Sequence, residues 1–490
     1  MPCNAETAVL VKKNLLAKPM LDWDNPKEAF PQLTKDICLK QWGQYCLIVN
    51  KWTGRQLRVS IEQAFALCLC YGKFSLSQIL DLVSYAFKIS PSRAKQEISP
   101  VFEKCLDKEM FAIGPLAQAG ATQPLCSPES ILKEATRAKT PQGRRCPSPL
   151  FLVAVLTERC DMRCIYCFRS AGIQLKSELN TQDWLNIIEQ ASGMGVVRCF
   201  VTGGEPTLHE GFLSIVSRLI KHGIYPYIST NGLYLNDEII KELAGSGLRR
   251  IQVSLDAVEE DLFYKMTGIQ RGFEKVLNNI RKLSDAGIEV MVKSVVIPLN
   301  HKFAGKVVET CVDLGVRIVD FAPYGNAPFG RGGRELLLSE AQRKDCLSRL
   351  NQAKEHFGHR VTIMGTGLKK PMQWENLPDH CTTCGGFISS MVIQPNGDVG
   401  PCELLPSVES LKIGNIRKTS LRDLWNSREA ERIANPPKDE LTDTCLECRH
   451  LSHCRGGCHA YALLYSDNPF ASDPHCPKVK LSDNPVLACK

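Results

Sequence analysis

From about residue 148 onward, short apolar runs alternate with amphipathic segments. The runs at 150–156, 197–202, 225–230, 250–254, 290–297 and 318–323 are rich in β-branched and aromatic residues and bounded by turn formers, which predicts strands. Between them apolar positions recur at the helical period near 181–194, 208–222, 236–245, 272–286 and 302–314, and a further helix follows near 339–356. Six buried strands joined by helices predict a parallel sheet, because a parallel connection needs a crossover of this length. A partial barrel and a doubly wound sheet both satisfy the pattern, and in either one chemistry belongs at the carboxyl ends of the strands.

The first hundred residues are patterned differently. "YCLIVNKWTGRQLRVS" reads as a hairpin with Thr53-Gly54 at its turn. Three helical stretches follow near 61–71, 75–87 and 91–107, and "EMFAIG" at 109–114 closes the region as a short strand. This is a winged-helix-like α+β unit over 30–115. Residues 116–147 are rich in Pro, Gly, Ser and Arg and read as a linker.

Composition narrows the function classes. The chain has 490 residues, 44% hydrophobic and 23% charged, which suits two to four globular domains. The net charge is only +8, residues 1–115 carry a surplus of four basic residues, and no helix there has a dense basic face, so nucleic acid is not an expected partner. Lys12, Lys13 and Lys18 break the early apolar stretch and no signal segment follows. No run reaches the roughly 18 apolar residues of a membrane span, so the expected compartment is the cytoplasm. In that compartment 23 cysteines point to metal or cluster ligation rather than disulfides. Three fall at 160–167 and eight at 381–476; most of the others, such as Cys68 and Cys70, read as core.

"LTERCDMRCIYCFRS" sets Cys160, Cys164 and Cys167 at x3 and x2 spacing directly after the first strand of the repeat. Three thiolates on a four-iron cube leave one iron open. A structural zinc site would want a fourth ligand nearby, and none follows. With the aromatic Phe168 next, this run resembles the radical S-adenosylmethionine (SAM) superfamily. "GGEP" at 203–206, "STNG" at 229–232 and "VSLDA" at 253–257 end successive strands as in that family. The resemblance implies a partial (β/α)6 barrel over 148–370. It implies that Gly203, Gly204 and Glu205 meet the methionine amino group, that Phe168 lies beside the cofactor, and that Ser254 contacts SAM with Ser229, Asn231 and Asp256 on the same rim. Lys265 stands where the family often has Arg. Taken singly, each polar residue reads equally as a cap or turn former. The implied chemistry is reductive cleavage of SAM to a 5′-deoxyadenosyl radical, which abstracts hydrogen from an unactivated carbon while the protein orients and shields.

The tail reads Cys384-x12-Gly397-x4-Cys402, then Cys445-x2-Cys448-x5-Cys454-x3-Cys458, then Cys476. It is similar to the SPASM extension of radical SAM enzymes; a pair of zinc knuckles is the other reading. The resemblance implies a Cys-rich SPASM domain over 371–490 and three [4Fe-4S] clusters in all. Cys384, Cys402 and Cys458 would serve the first auxiliary cluster, with Cys381 either completing it or leaving an open iron for a substrate thiolate. Cys445, Cys448, Cys454 and Cys476 would serve the second. Glu403 follows Cys402 where sulfatase-maturing relatives place a carboxylate base, and it reads equally as an ordinary glutamate beside the ligands. "GRGGR" at 330–334 and "GTG" at 365–367 lack a phosphate-binding context and read as loops closing the barrel.

Joined to such a tail, the N-terminal unit resembles the recognition element of ribosomal-peptide maturases, which binds a leader peptide as an added strand; the stretch near 45–59 would be the docking edge. The implied function is oxidative modification of a precursor peptide to an intrapeptide crosslink, thioether first. Carbon–carbon crosslinking, epimerisation and backbone excision are other outcomes known among related enzymes. The partners implied are a leader-bearing precursor and an electron donor such as flavodoxin or ferredoxin. Two rivals are a sulfatase-maturase-like oxidase, indifferent to loss of 1–115, and a cluster-containing DNA-binding regulator, which would not cleave SAM.

Overall fold

The structure is a computed structural model. It describes Trp23, residues 30–114 without 35, 43–44, 52–55, 72–73 and 108–109, residue 131, residues 145–365 without 170, 173–174, 176, 326 and 329, and residues 384–479 without 406–407 and 477. The chain forms two compact units, 1–147 and 148–490.

The first unit opens with β1 (Phe30–Leu33), β2 (Ile37–Trp42), β3 (Tyr45–Asn50) and β4 (Gln56–Val59). Helices Ile61–Cys68, Leu76–Phe87 and Pro91–Asp107 follow, and β5 (Phe111–Gly114) ends it. Ser60 with Gln63 and Ser75 with Gln78 form reciprocal capping boxes that start the first two helices. Ile48, Ile79, Val83, Ile98 and Phe102 are buried together, with Cys68, Cys70 and Cys105 among them as small apolar groups. The expected hairpin is present: β3 and β4 are antiparallel with Leu47 opposite Arg58, while the Thr53-Gly54 turn lies outside the described residues.

The closing strand is present as β5, which pairs antiparallel with β1. One expectation changes. The stretch 45–59 is not an edge throughout, because β3 is the middle strand between β2 and β4. A strand with both sides paired has no N–H or C=O row left to accept a peptide. Among the described residues, β4 and the unforeseen β2 are the edges of that sheet.

In the second unit β6 (Phe151–Val155), β7 (Arg198–Thr202), β8 (Tyr225–Thr230), β9 (Arg250–Ser254), β10 (Glu289–Val296), β11 (Ile318–Pro323) and β12 (Thr362–Met364) run parallel in chain order. The six strands read from the sequence are all there; β12 is additional. Helices Thr181–Gly193, Phe212–Lys221, Asp237–Gly245, Phe273–Asp285 and Ala304–Asp313 cross between them. In Phe212–Lys221, Phe212, Ile215, Val216 and Leu219 are buried, each worth about 1.5–3 kcal/mol.

Strand burial alternates, which separates the two faces of the sheet. On β8, Pro226, Ile228 and Thr230 are buried while Tyr225, Tyr227 and Ser229 are partly open. The partly open set makes the inner face. Near its amino end the Arg198 guanidinium lies 4.6 Å from the Tyr227 ring centroid and 5.1 Å from that of Phe200. Higher up, Tyr227 Oη donates to Gln252 Oε1 at 2.8 Å, and Gln252 Nε2 donates to Ser229 Oγ at 2.7 Å. Ser254, Lys293 and Asp320 are in register on β9, β10 and β11, and Lys293 Nζ is 3.5 Å from Asp320 Oδ2.

The expected boundary at 370 is not a break in the sheet. β13 (Ser390–Ile393) pairs parallel with β6, and β14 (Asp398–Gly400) and β15 (Gly414–Asn415) continue antiparallel. The cysteine-rich segment thus satisfies the outer edge of the strand that leads to Cys160.

Candidate active site

The chain leaving β6 carries Cys160, Cys164 and Cys167, all half-buried. It is held from three directions. Gly204 N–H donates to Thr157 C=O at 2.7 Å and Glu205 N–H to Arg159 C=O at 2.8 Å, joining it to the turn after β7. Arg163 N–H and Ile165 N–H donate to Thr267 C=O (2.7 Å) and Met266 C=O (3.0 Å) on helix Glu260–Thr267. Arg331 supplies the third hold: its N–H donates to Cys167 C=O at 2.7 Å, Nη1 to Cys164 C=O at 3.3 Å and Nη2 to Ala171 C=O at 2.9 Å. The "GRGGR" segment therefore braces the cysteine loop. A Cβ on Gly332 would stand 2.7 Å from Ile165 C=O, so glycine there permits the approach.

The three thiols sense one another's charge, and burial pushes Cys160 and Cys164 up to about 12. Binding iron therefore displaces their protons, as a coordinating cation does. The donor set, three neighbouring thiols on a braced loop, fits a larger cluster.

The strand-end motifs surround this loop, though not all as expected. A Cβ on Gly203 would lie 2.7 Å from Thr157 C=O, and one on Gly204 would lie 2.3 Å from Arg159 C=O. Only glycine lets the two backbones meet. Ser229 and Ser254 are partly open on the inner face, and the Ser254 hydroxyl makes no hydrogen bond among the described residues. Phe168 is half-buried. Asn231 Nδ2 donates to Asp161 Oδ1 at 2.6 Å, inside the cysteine loop.

Glu205, Asp256 and Lys265 are placed differently from these residues. Glu205 is 1% exposed, and its carboxylate accepts from Thr207 N–H, Thr207 Oγ1, Thr230 Oγ1 and Asn231 N–H. Burial pushes it up to about 7 against those four donors. It is an internal bracket between β7 and β8. Asp256 is buried, accepts from Tyr166 Oη and from Val295 N–H at 2.5 Å, and so ties the cysteine loop to β10. Burial pushes it up to about 6. Lys265 is exposed on its helix, whose inner side is filled by Leu262, Phe263 and Met266.

The later cysteines fall into two neighbourhoods. The charges of Cys384, Cys402 and Cys458 act on one another, and Cys445 and Cys448 act on Cys476. Gly386 N–H donates to Cys384 Sγ and Leu404 N–H to Cys402 Sγ, both at 3.4 Å, the kind of bond that tunes cluster thiolates. Cys445 Sγ lies 3.1 Å from Ser472 Oγ, and Cys454 is half-buried. Cys381 lies outside the described residues. Glu403 is half-buried; burial raises its carboxyl, with Arg169 and Lys293 pulling the other way. Its backbone C=O accepts from Arg169 Nη1 at 2.9 Å.

Sequence reading missed Tyr166, Arg169 and Arg331. Tyr166 and Arg169 sit inside the quoted cysteine motif, and only their long-range partners reveal them.

Comparison with known families now bears directly on this loop. Residues 154–311 match the radical SAM superfamily, and residues 381–449 match SPASM, an iron–sulfur cluster-binding domain. The chain thus carries a radical SAM domain followed by a SPASM domain. Its cofactors are SAM and iron–sulfur clusters. The PqqA peptide cyclase of Rhizobium meliloti (strain 1021) is 25% identical over 361 residues, spanning 73% of this chain and 94% of that one. That of Methylocella silvestris is 27% identical over 337 residues, 67% of this chain and 87% of that one. Among solved structures, Streptococcus suis SuiB bound to S-adenosylmethionine superposes with a TM-score of 0.64 at 17% identity, over 91% of this chain and 100% of that one. At that identity the likeness is of fold, and this radical SAM chain shares it beyond the barrel. Among the described residues no helix is long and apolar enough to cross a membrane.

Proposed function

We propose that this enzyme oxidatively crosslinks a ribosomally made precursor peptide, a thioether being the first expectation. The observation that carries the reading is the inner face itself. Ser254, Lys293 and Asp320 stand in register across three strands, and the Lys293 charge reaches Glu403, the residue after Cys402. The Lys293 register thus runs from the strand that ends in the "VSLDA" motif toward a half-buried carboxylate beside a later cysteine. The PqqA peptide cyclases named above, and SuiB, whose structure with the precursor peptide SuiA superposes with a TM-score of 0.62, support a peptide substrate.

In this reading Cys160, Cys164 and Cys167 hold the SAM-cleaving cluster. Cys384, Cys402 and Cys458, with Cys381, hold a second, and Cys445, Cys448, Cys454 and Cys476 a third. When bound, SAM and the clusters supply a carbon-centred radical that takes a hydrogen atom from the peptide and an acceptor for the remaining electron. The backbone at Gly203 and Gly204, with Ser229 and Ser254, orients SAM. Glu403 receives the proton released as the peptide is oxidised. The N-terminal unit takes the leader along β2 or β4, so that the core reaches the barrel at high effective concentration. A flavodoxin or ferredoxin supplies electrons, in the cytoplasm.

The test uses reconstituted, reduced enzyme and a short peptide encoded beside its gene. The expected product has lost the mass of two hydrogen atoms and, for a thioether, one alkylatable thiol. The core segment without its leader should react poorly. Cleavage of SAM with the peptide unchanged would overturn the reading.

Glu403→Gln isolates the proton acceptor. 5′-Deoxyadenosine formation should continue, while crosslinked peptide falls by about 10²–10⁴-fold, the usual worth of a general base. Undiminished product would leave Glu403 no such role.

A further inference from the structure

Arg169 stands two residues after Cys167, and its side chain is 1% exposed. One guanidinium meets three parts of the second unit. Nη2 pairs with Glu158 Oε1, two residues before Cys160, and also donates to Gln394 Oε1 at 3.0 Å. Nη1 donates to the backbone C=O of Glu403 at 2.9 Å, across 234 residues of chain. Gln394 itself follows β13 and its N–H donates to Asp398 C=O at 2.8 Å, fixing the turn into β14. Nε has no hydrogen-bond partner among the described residues.

A buried ion pair is weak support for stability, since desolvation cancels much of the attraction. What the planar guanidinium provides is geometry: its donors point along fixed directions, which a flexible Lys cannot reproduce. Here those directions join both flanks of the first cysteine motif to the residue beside Cys402. We propose that Arg169 is a positioning residue that sets where the Cys402–Glu403 turn stands relative to the Cys160–Cys167 loop, so that the peptide radical formed at one is consumed at the other. This rests on the function proposed above.

The experiment compares Arg169→Gln and Arg169→Lys with the wild type as reconstituted holoenzymes of equal iron content. The first readout needs no peptide. Amide hydrogen exchange at 402–405 should speed up in both variants, while exchange in β7–β9 stays unchanged. The second readout is the amount of 5′-deoxyadenosine formed per crosslinked peptide. It should rise about tenfold or more in Arg169→Gln, in keeping with the cost of misplacing a reacting group by an ångström or so, and less in Arg169→Lys. A general loss of stability would depress both products together and leave that ratio fixed. Unchanged exchange at 402–405, or faster exchange with an unchanged ratio, overturns the proposal. If wild-type enzyme makes 5′-deoxyadenosine and no altered peptide, the peptide reading has failed by itself, and the exchange measurement still decides whether Arg169 holds the turn.

Discussion

Alanine in place of Cys164 is expected to abolish formation of 5′-deoxyadenosine and to lower the iron content of the reconstituted enzyme by about four atoms, one [4Fe-4S] cluster of the three proposed above. Cys164 is the middle thiol of the braced loop, and the Tyr166 hydroxyl and Asp256 charge lie beside it. Removing it leaves two thiolates for a cube that needs three. The fold should persist, because the loop is held by backbone bonds to Thr267, Met266 and Arg331 rather than by the thiol. Cys311→Ala is the matched control. Cys311 is fully buried in helix Ala304–Asp313, so its loss opens a small cavity and leaves iron and catalysis in place. Wild-type iron content in the Cys164 variant would refute the assignment of this loop.

Gly204→Ala should be nearly as damaging by a different route. The added methyl would stand 2.3 Å from Arg159 C=O and 2.8 Å from Glu158 C=O, both backbone atoms that cannot swing aside. The turn after β7 and the cysteine loop must then part, straining the bonds from Gly204 N–H and Glu205 N–H. Overpacking of this kind costs about 1–3 kcal/mol of stability. SAM affinity should fall about tenfold to a hundredfold, about 1.4–2.8 kcal/mol, measured by equilibrium dialysis of the reconstituted protein. Gly193→Ala provides the contrast. A methyl added there would meet no heavy atom within 4 Å and its helix can accept alanine, so it should leave SAM binding unchanged and stabilise by about 0.4–1 kcal/mol. Equal behaviour of the two variants would show that the close approach at Gly204 is unimportant.

The order of the barrel was legible because buried parallel strands write themselves as apolar runs, and β6 to β11 fall within a residue or so of where those runs lie. The cysteine groupings were legible because spacing along a short loop survives folding. What sequence did not reveal depends on distant pairing. β12 is three residues long, too short to show a period. The parallel joining of β13 to β6 links residues 390 and 151, and no local pattern marks it. Glu205 and Asp256 were read as facing the cofactor because their motifs end the right strands. A motif fixes where a turn lies and not which way its carboxylate points; here Thr230, Asn231 and Tyr166 claim both. Arg169 and Arg331 were overlooked for the same reason: Arg331 binds acceptors more than 150 residues away, and so does Arg169 at Gln394 and Glu403, Glu158 being its one near partner.

The Arg198 stack at the foot of the inner face has a kinetic corollary. A guanidinium set over Tyr227, Phe200 and Tyr225 fills the amino-terminal end of those strands with charge and aromatic rings. In the function proposed above, peptide, nucleoside and methionine would then exchange at the opposite rim. Arrival and departure become a queue, and a lingering product would stall the next turnover before any bond is broken.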